Sequence, residues 1–223
     1  MPRLALAICM LWFFSLFVFR TIVQWRATGS TGVKGFHGRV GSLPWIAGVA
    51  ASLGLALAPL APLSALFDWP GGSLLVAEPG LHWAGAAFAL IGNAGGLLAQ
   101  LAMGSSWRVG VDASERTELV THGMFAWVRN PIFSFISLSV LGLVLLVPNP
   151  LSLLAGVLTL VGIEVQVRAV EEPYLLRMHG ADYARYAARV GRFVPAIGRL
   201  RDDASRPGTA HASSHRHLDV TER

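Results

Sequence analysis

The residues best suited to chemistry in this chain are charged side chains at the end of a long apolar run. Glu164, Arg168 and Glu171 follow the spacing i, i+4, i+7, so they share one face of a helix, and Glu172 lies one residue round. Charged groups in membrane segments commonly mark functional sites. The acid-before-base order of Glu164 and Arg168 equally favours a structural ion pair. Both interpretations stay open at this point.

A second polar region is the loop 104–131, which reads GSSWRVGVDASERTELVTHGMFAWVRNP. It ends in Arg129-Asn130-Pro131, and proline is favoured in the first turn of a helix. The backbone N–H groups and dipole of that helix start are suited to a carboxylate, and Arg129 adds a full charge. Because Arg129 would stand near water, we expect it to contribute little to stability.

Five apolar runs must position these groups, and they predict an all-α, polytopic membrane protein. The chain has 223 residues, of which 53% are apolar and only 14% charged. Soluble domains carry about 25% charged residues. About 20 apolar residues cross a bilayer, so the fourth run is slightly short. The runs are Leu4 to Val23, Leu43 to Phe67, Gly80 to Met103, Ile132 to Val147 and Leu151 to Val167.

Prolines and small residues predict how the runs bend and pack. Pro59 and Pro62 should kink or end the second run, and Pro148-Asn149-Pro150 should form a tight hairpin between the fourth and fifth. Gly92 and Gly96 form a small-xxx-small pair, which favours close helix packing. Three polar side chains inside the runs are expected to reach the interface (Arg20) or to hydrogen-bond between helices (Asn93 and Gln100).

The distribution of basic residues predicts the orientation. Basic residues lie between the first and second runs, between the third and fourth, and after the fifth, where ten Arg follow from Arg168 onward. The positive-inside rule then places the N-terminus outside and the C-terminus in the cytoplasm. Because these positions explain the excess of basic over acidic residues, we expect membrane lipids rather than nucleic acid as partners. Cys9 is the only cysteine, which excludes an internal disulfide.

The segment Leu119-Val-Thr-His-Gly-Met-Phe-Ala-Trp-Val-Arg-Asn-Pro131 resembles the signature of the isoprenylcysteine carboxyl methyltransferase family, which is related to membrane phospholipid methyltransferases. That family has a "VT-x-G-x-Y-x-x-x-RHP" motif, a helical hairpin, a Glu-Glu pair, "FG-x-x-Y-x-x-Y" and "R-x-x-P". The chain follows with Glu171-Glu172, His179-Gly180-Ala-Asp-Tyr183-Ala-Arg-Tyr186 and Arg192-Phe-Val-Pro195. The likeness covers about residues 100 to 200. It divides the chain into a two-span segment (1–79), a methyltransferase core (80–201) and a disordered tail (202–223).

The resemblance implies a methyltransferase that uses S-adenosylmethionine, with a cytoplasmic cofactor pocket and a small or lipophilic methyl acceptor. It implies no metal, and the three histidines of the tail are read as solvated. The chain carries no signal for a particular oligomeric state. Arg129 and Glu171 are the implied catalytic residues. The implied cofactor-binding residues are Val120, His122, Gly123, Val128, Arg129, Asn130, Pro131, Glu171, Glu172, Tyr183 and Tyr186, and the implied substrate-binding residues are Trp107, Arg108, Phe133 and Phe193.

Two departures from the family pattern bear on the activity. Asn130 replaces the family histidine, and Phe133 replaces a tyrosine. Asn cannot act as a base near neutral pH, so the acceptor would have to arrive deprotonated or use another base such as a Glu. An NADPH-dependent membrane reductase related to sterol reductases and a non-catalytic module of the same fold are the alternatives. The Arg-rich, almost Lys-free composition suggests a bacterial inner-membrane protein.

Overall fold

The computed structural model describes residues 1–33, 35, 38–69, 74, 78–107 and 118–200. Arg108, which is one of the implied substrate-binding residues, and the tail 202–223 lie outside these residues. Within them the regular elements are helices: α1 (Pro2–Phe13), α2 (Arg20–Thr28), α3 (Leu43–Leu57), α4 (Leu60–Leu66), α5 (Pro79–Ala102), α6 (Pro131–Leu146), α7 (Pro150–Gln166) and α8 (Glu172–Arg189). The all-α prediction is therefore confirmed.

Among the residues that the structure describes, four stretches of helix are long and apolar enough to cross a membrane, namely Pro2–Thr28, Leu43–Leu66, Pro79–Ala102 and Pro150–Arg189. α6 is apolar but has only 16 residues. Its length is about 24 Å, against a hydrocarbon core of about 30 Å. The shortness predicted for the fourth run is thus seen, and the total of five spans stays a prediction.

Two helix pairs pack closely because glycines remove side chains where the backbones cross. A β-carbon at Gly92 of α5 would lie 2.6 Å from the Phe135 carbonyl oxygen of α6, and one at Gly54 of α3 would lie 2.6 Å from the Thr159 nitrogen of α7. Gly96 differs from Gly92, because its nearest neighbour is the Leu16 side chain at 3.5 Å. Of the predicted pair, Gly92 therefore makes the close backbone approach and Gly96 does not.

The predicted breaks fall where prolines stand. α3 ends at Leu57 and α4 begins at Leu60, on either side of Pro59. Between α6 and α7, Asn149 caps α7: its side chain accepts from the Ser152 backbone nitrogen at 2.9 Å, and the Ser152 hydroxyl accepts from the Asn149 nitrogen at 3.1 Å. The Asn149 side-chain nitrogen also donates to the Ala61 carbonyl of α4 at 2.9 Å. The hairpin is thereby fixed to the second span.

One predicted position is wrong. Arg20 does not reach toward water but is 1% exposed. Its Nε and Nη2 donate to the carbonyls of Gln100 (3.3 Å) and Gly104 (2.7 Å), so it caps the C-terminal end of α5. Asn93 behaves as expected, because its Oδ1 accepts from the Ser15 hydroxyl of the first span at 2.7 Å.

Candidate active site

The site begins where the signature loop meets the C-terminal segment. A short 3-10 turn (Gly123–Ala126) leads to Arg129, whose backbone nitrogen donates to the Gly191 carbonyl at 2.8 Å. The next nitrogen, of Asn130, donates to the Arg192 carbonyl at 3.1 Å. This pairing explains why the two motifs, about 60 residues apart in the chain, belong to one site. Asn130 also stands at the N-cap position of α6, where its side chain makes no capping hydrogen bond; its side-chain nitrogen instead donates to the Arg192 carbonyl at 3.2 Å.

Three charged side chains form a buried cluster behind this junction. Glu172 accepts from Arg129 Nη2 at 2.5 Å and from Arg192 Nε and Nη2 at 2.7 and 2.8 Å. The Arg129 and Glu172 side chains are only 1% and 7% exposed. The hydrogen bonds to Glu172 raise the pKa of Arg192, which favours its charged form. Each of these charges is therefore paired, although Arg129 Nε is buried without a hydrogen-bond partner in the described part of the chain.

The surroundings of Arg129 correct its expected role. Its Nη1 donates to the carbonyls of Ala187 (2.9 Å) and Val190 (2.6 Å), and its Nη2 donates to Gly198 (3.0 Å) as well as to Glu172. The expectation that Arg129 stands near water is therefore wrong, and the argument for a small contribution to stability, which depended on that exposure, no longer applies. Its terminal nitrogens are occupied by the protein, so Arg129 holds the C-terminal segment against the start of α6.

A π-helical turn separates the two glutamates. α7 runs through Val167–Glu171 in this wider form before α8 begins at Glu172. Pro173 stands in the first turn of α8, where the lack of an N–H is tolerated. π-helical turns occur frequently at functional sites. Glu172 points into the charge cluster, whereas Glu171 lines the cavity described next. Adjacent glutamates thus face different environments.

Two tyrosines close the polar end of the site. Gly180, with φ +51°, interrupts α8, and Tyr183 and Tyr186 follow it. Their ring centroids lie 6.1 Å apart at 62°, an edge-to-face arrangement. The Tyr186 hydroxyl donates to the Phe125 carbonyl at 2.6 Å, which ties α8 to the signature loop. Both rings are buried and line the same cavity as Glu171.

The cavity has a volume of about 800 Å³, within the range of about 300–1,000 Å³ typical of small-molecule sites. Its polar arm is formed by the signature loop, the start of α6, Glu171 and the two tyrosines. Its apolar arm continues between α1 and α3 along α6. Nine implied site residues line the cavity: Trp107, Val120, Arg129, Asn130, Pro131, Phe133, Glu171, Tyr183 and Tyr186.

The other implied residues that the structure describes lie elsewhere. His122 and Gly123 are exposed on the turn that begins the signature, and Val128 is buried in the junction with Gly191. Glu172 belongs to the charge cluster, and Phe193 packs against the apolar core of α1, α6 and α7. The structure therefore does not bring these five to the cavity surface.

Several lining residues were not predicted. Part of the cavity wall is formed by Trp12, Phe125 and Tyr174. In the sequence, such residues cannot be distinguished from residues of a hydrophobic core. Gln166 could have been predicted, because it is an amide inside an apolar run. Gln100 was predicted only to form hydrogen bonds between helices. Both amides line the cavity, and their side-chain oxygens are buried without a hydrogen-bond partner in the described part of the chain.

Comparison with known proteins agrees with this geometry. Residues 81–182 match a family described as phospholipid methyltransferase. Among solved structures, a eukaryotic intramembrane Ras methyltransferase, the isoprenylcysteine carboxyl methyltransferase, is similar with a TM-score of 0.55 and 24% identity. The match covers 87% of this chain and 66% of that one, so the chain spans just under two thirds of its relative. No curated protein sequence matches.

Both matches are to methyltransferases, which form one class of enzyme, and neither match favours the reductase. Within that class, the resemblance to isoprenylcysteine carboxyl methyltransferases and their phospholipid methyltransferase relatives is confirmed, by the family match for the segment 81–182 and by the solved structure for the fold. The helices are compatible with a membrane protein, as the sequence predicted.

Proposed function

We propose that the protein is an integral membrane methyltransferase that transfers a methyl group from S-adenosylmethionine to a lipophilic acceptor. The observation that carries the proposal is a single cavity that joins a polar arm to an apolar arm between α1 and α3. Methyltransferases of this kind generally use this cofactor. When bound, it supplies a methyl group on a sulfonium, and an in-line displacement passes that group to the acceptor while the sulfur keeps the electron pair.

The polar arm of the cavity offers groups that fit the cofactor. The first N–H groups of α6 have no partner within the helix, and the residues that carry them, Ile132 and Phe133, line the cavity. With the positive end of the α6 dipole, they suit a carboxylate. The Glu171 carboxylate suits an ammonium group or ribose hydroxyls. Tyr183 and Tyr186 provide an aromatic wall for the adenine.

In this proposal Arg129 and Glu172 act through position rather than by contact. Their ion pair fixes the start of α6 against the segment that carries Tyr183 and Tyr186. Alignment of donor and acceptor contributes much of the rate of such a displacement. Asn130 cannot remove a proton at neutral pH, so Glu171 accepts it or the acceptor arrives deprotonated.

The apolar arm of the cavity supports the proposal that the methyl acceptor is lipophilic. Along α3 its wall is formed by small side chains, with Gly48, Ser52 and Ala56 spaced four residues apart. On the opposite side stand Trp12 and Phe13 of α1. An apolar tail fits this arm, whereas a fully polar acceptor would leave it without favourable contacts.

The test is a titration of the purified protein with S-adenosylmethionine, S-adenosylhomocysteine and NADPH. We expect saturable binding of the two sulfur compounds and none of NADPH. Binding of NADPH alone would support the reductase, and binding of none of them would support the non-catalytic module.

The orientation is a separate part of the proposal. We propose that the C-terminus and the polar arm of the cavity face the cytoplasm, in a bacterial inner membrane. It is supported by the positive-inside distribution. A periplasm-active reporter fused after Arg201 should give no signal, while the same reporter after Leu74 should be active. The reverse pattern would overturn the orientation.

A further inference from the structure

Three large apolar side chains are exposed outside the helices, next to the start of α6. Trp127, which ends the 3-10 turn of the signature loop, is 72% exposed. Val194 and Ile197 are 50% and 65% exposed, and they belong to one tight turn in the C-terminal segment. The signature loop and this segment are joined by the backbone hydrogen bonds described above. We call residues 127–130 and 190–198 together the junction.

The carbonyl groups of the junction accept hydrogen bonds from the protein itself. Five consecutive carbonyls, those of residues 190 to 194, are all bonded in this way. Their donors, in the same order, are Arg129 Nη1, the Arg129 nitrogen, the Asn130 nitrogen, the Ser134 hydroxyl and the Ile197 nitrogen. The Ile197 carbonyl also accepts, from the Arg192 nitrogen at 2.7 Å. Such internal pairing is required of irregular backbone where water is scarce, whereas water can satisfy the carbonyls of a turn in solution.

The length of α6 gives a reason for lipid to surround this part of the chain. Its 16 residues leave about 6 Å of the hydrocarbon core uncrossed. At the hairpin end of α6, Val147, Pro148 and Asn149 are all buried in protein. The exposed apolar side chains of the junction lie at the opposite end. We therefore assign the uncrossed distance to the end at which α6 starts.

The neighbours of the tight turn fit a membrane interface. Phe193, directly before Val194, packs against the apolar core of α1, α6 and α7, so the turn is continuous with the spans. Arg189 and Arg199 flank the turn in the chain, and both are exposed. Arginine can lay its stem along apolar surface while its charge reaches the lipid phosphates. Tryptophan, as at position 127, is enriched at membrane interfaces.

We propose that the junction is an interfacial membrane anchor, placed where the head groups and acyl chains meet in the leaflet at the start of α6. Trp127, Val194 and Ile197 reach the acyl chains, and the flanking arginines lie at the level of the phosphates. The junction thereby completes the crossing for which α6 is too short. This inference goes beyond the proposed function and does not depend on methyl transfer.

The test measures whether lipid or water surrounds Ile197. In a Cys9→Ser background, the full-length protein carries a nitroxide label at Ile197→Cys and is reconstituted into vesicles of phosphatidylethanolamine and phosphatidylglycerol. Asp182→Cys on α8 is the matched control, because the Asp182 side chain is 74% exposed and lies outside the junction. Collision rates of each label are measured with oxygen, which dissolves in lipid, and with a polar nickel chelate. We expect an oxygen-to-nickel ratio about tenfold higher at Ile197→Cys than at Asp182→Cys, because polar solutes are excluded from hydrocarbon.

A second label at Val194→Cys should give the same high ratio as Ile197→Cys, and it replaces that variant if Ile197→Cys does not fold. Equal ratios at the junction and at Asp182→Cys would mean that water surrounds the turn, and the proposal would be overturned. Low collision rates with both reagents at the junction would mean that a second copy of the chain covers it, which would also overturn the proposal. The labels report without cofactor or acceptor, so this outcome is independent of the binding titration.

Discussion

The two arms of the cavity are built in opposite ways. Around the polar arm, the side chain of Arg129 alone makes four hydrogen bonds, to Glu172 and to three carbonyls that follow Tyr186 in the chain. Along the apolar arm, small side chains of α3 face α1 across open space. The same α3 packs tightly on its other face, where a β-carbon at Gly162 of α7 would lie 2.5 Å from the Ala51 nitrogen.

This difference separates two tasks that a membrane methyltransferase has to perform. The cofactor must be held in one geometry, because displacement requires alignment of the reacting atoms. A lipophilic acceptor has to enter from the bilayer and needs shape and space more than fixed hydrogen bonds. The comparison predicts that substitutions in the charge cluster cost stability, whereas substitutions in the apolar arm leave stability largely unchanged.

The largest expected effect is that of Arg129→Ala. It leaves Glu172 with one partner in a buried site and removes the hydrogen bonds to three carbonyls, so we expect a loss of about 3–5 kcal/mol in the free energy of unfolding. Denaturant unfolding in detergent measures it. Arg129→Lys should recover part of the loss, because it keeps a cation beside Glu172 while it donates fewer hydrogen bonds in a fixed geometry. An unchanged unfolding midpoint in Arg129→Ala would contradict the structural role of the cluster.

Two alanine-to-leucine variants of α3 test the prediction that substitutions in the apolar arm leave stability largely unchanged. Ala47 is 3% exposed and packs toward α7, where its carbonyl oxygen would lie 2.8 Å from a β-carbon at Gly162. Ala47→Leu should therefore cost about 1–3 kcal/mol through overpacking. Ala56→Leu makes the same substitution on the cavity side of the helix and should cost about 1 kcal/mol or less. Equal losses would show that α3 has no open side.

The smallest expected effect is that of Glu164→Gln. Glu164 forms the predicted i, i+4 ion pair with Arg168, but the two side chains are 39% and 58% exposed. Such exposed pairs contribute about 0.3–0.5 kcal/mol. A shift of the melting temperature within a degree or two is expected. A loss comparable to that of Arg129→Ala would mean that the pair is part of the buried cluster.

Much of the fold was predictable from the sequence because apolar length and proline position determine where membrane helices begin and end. The hairpin at Pro148-Asn149-Pro150 and the break at Pro59 both follow from the missing proline N–H. The position of Arg20 was not predictable. A lone arginine near the end of an apolar run has the same local pattern whether it reaches water or caps a neighbouring helix.

The motifs predicted which segments of the chain form the site, but they predicted less well what each residue contacts there. The order of the motifs identified the segments that meet at Asn130 and Arg192. It did not reveal that Arg129 and Glu172 bind each other, because which of two adjacent glutamates faces the cavity depends on the π-helical turn at Val167–Glu171. The sequence signal for that turn, a proline directly after Glu172, indicates a disturbance of the helix and not its form.

The most direct measurement is the affinity for S-adenosylhomocysteine of wild type, Glu171→Gln and Glu172→Gln, with the melting temperature of each. The account predicts that Glu171→Gln weakens binding by about tenfold, as expected for loss of a charged hydrogen bond, with little change in melting temperature. Glu172→Gln should lower the melting temperature by several degrees, because it weakens bonds to two arginines. If Glu171→Gln leaves the affinity unchanged, or both variants lose stability and affinity in proportion, Glu171 does not bind the cofactor and the proposed site is wrong.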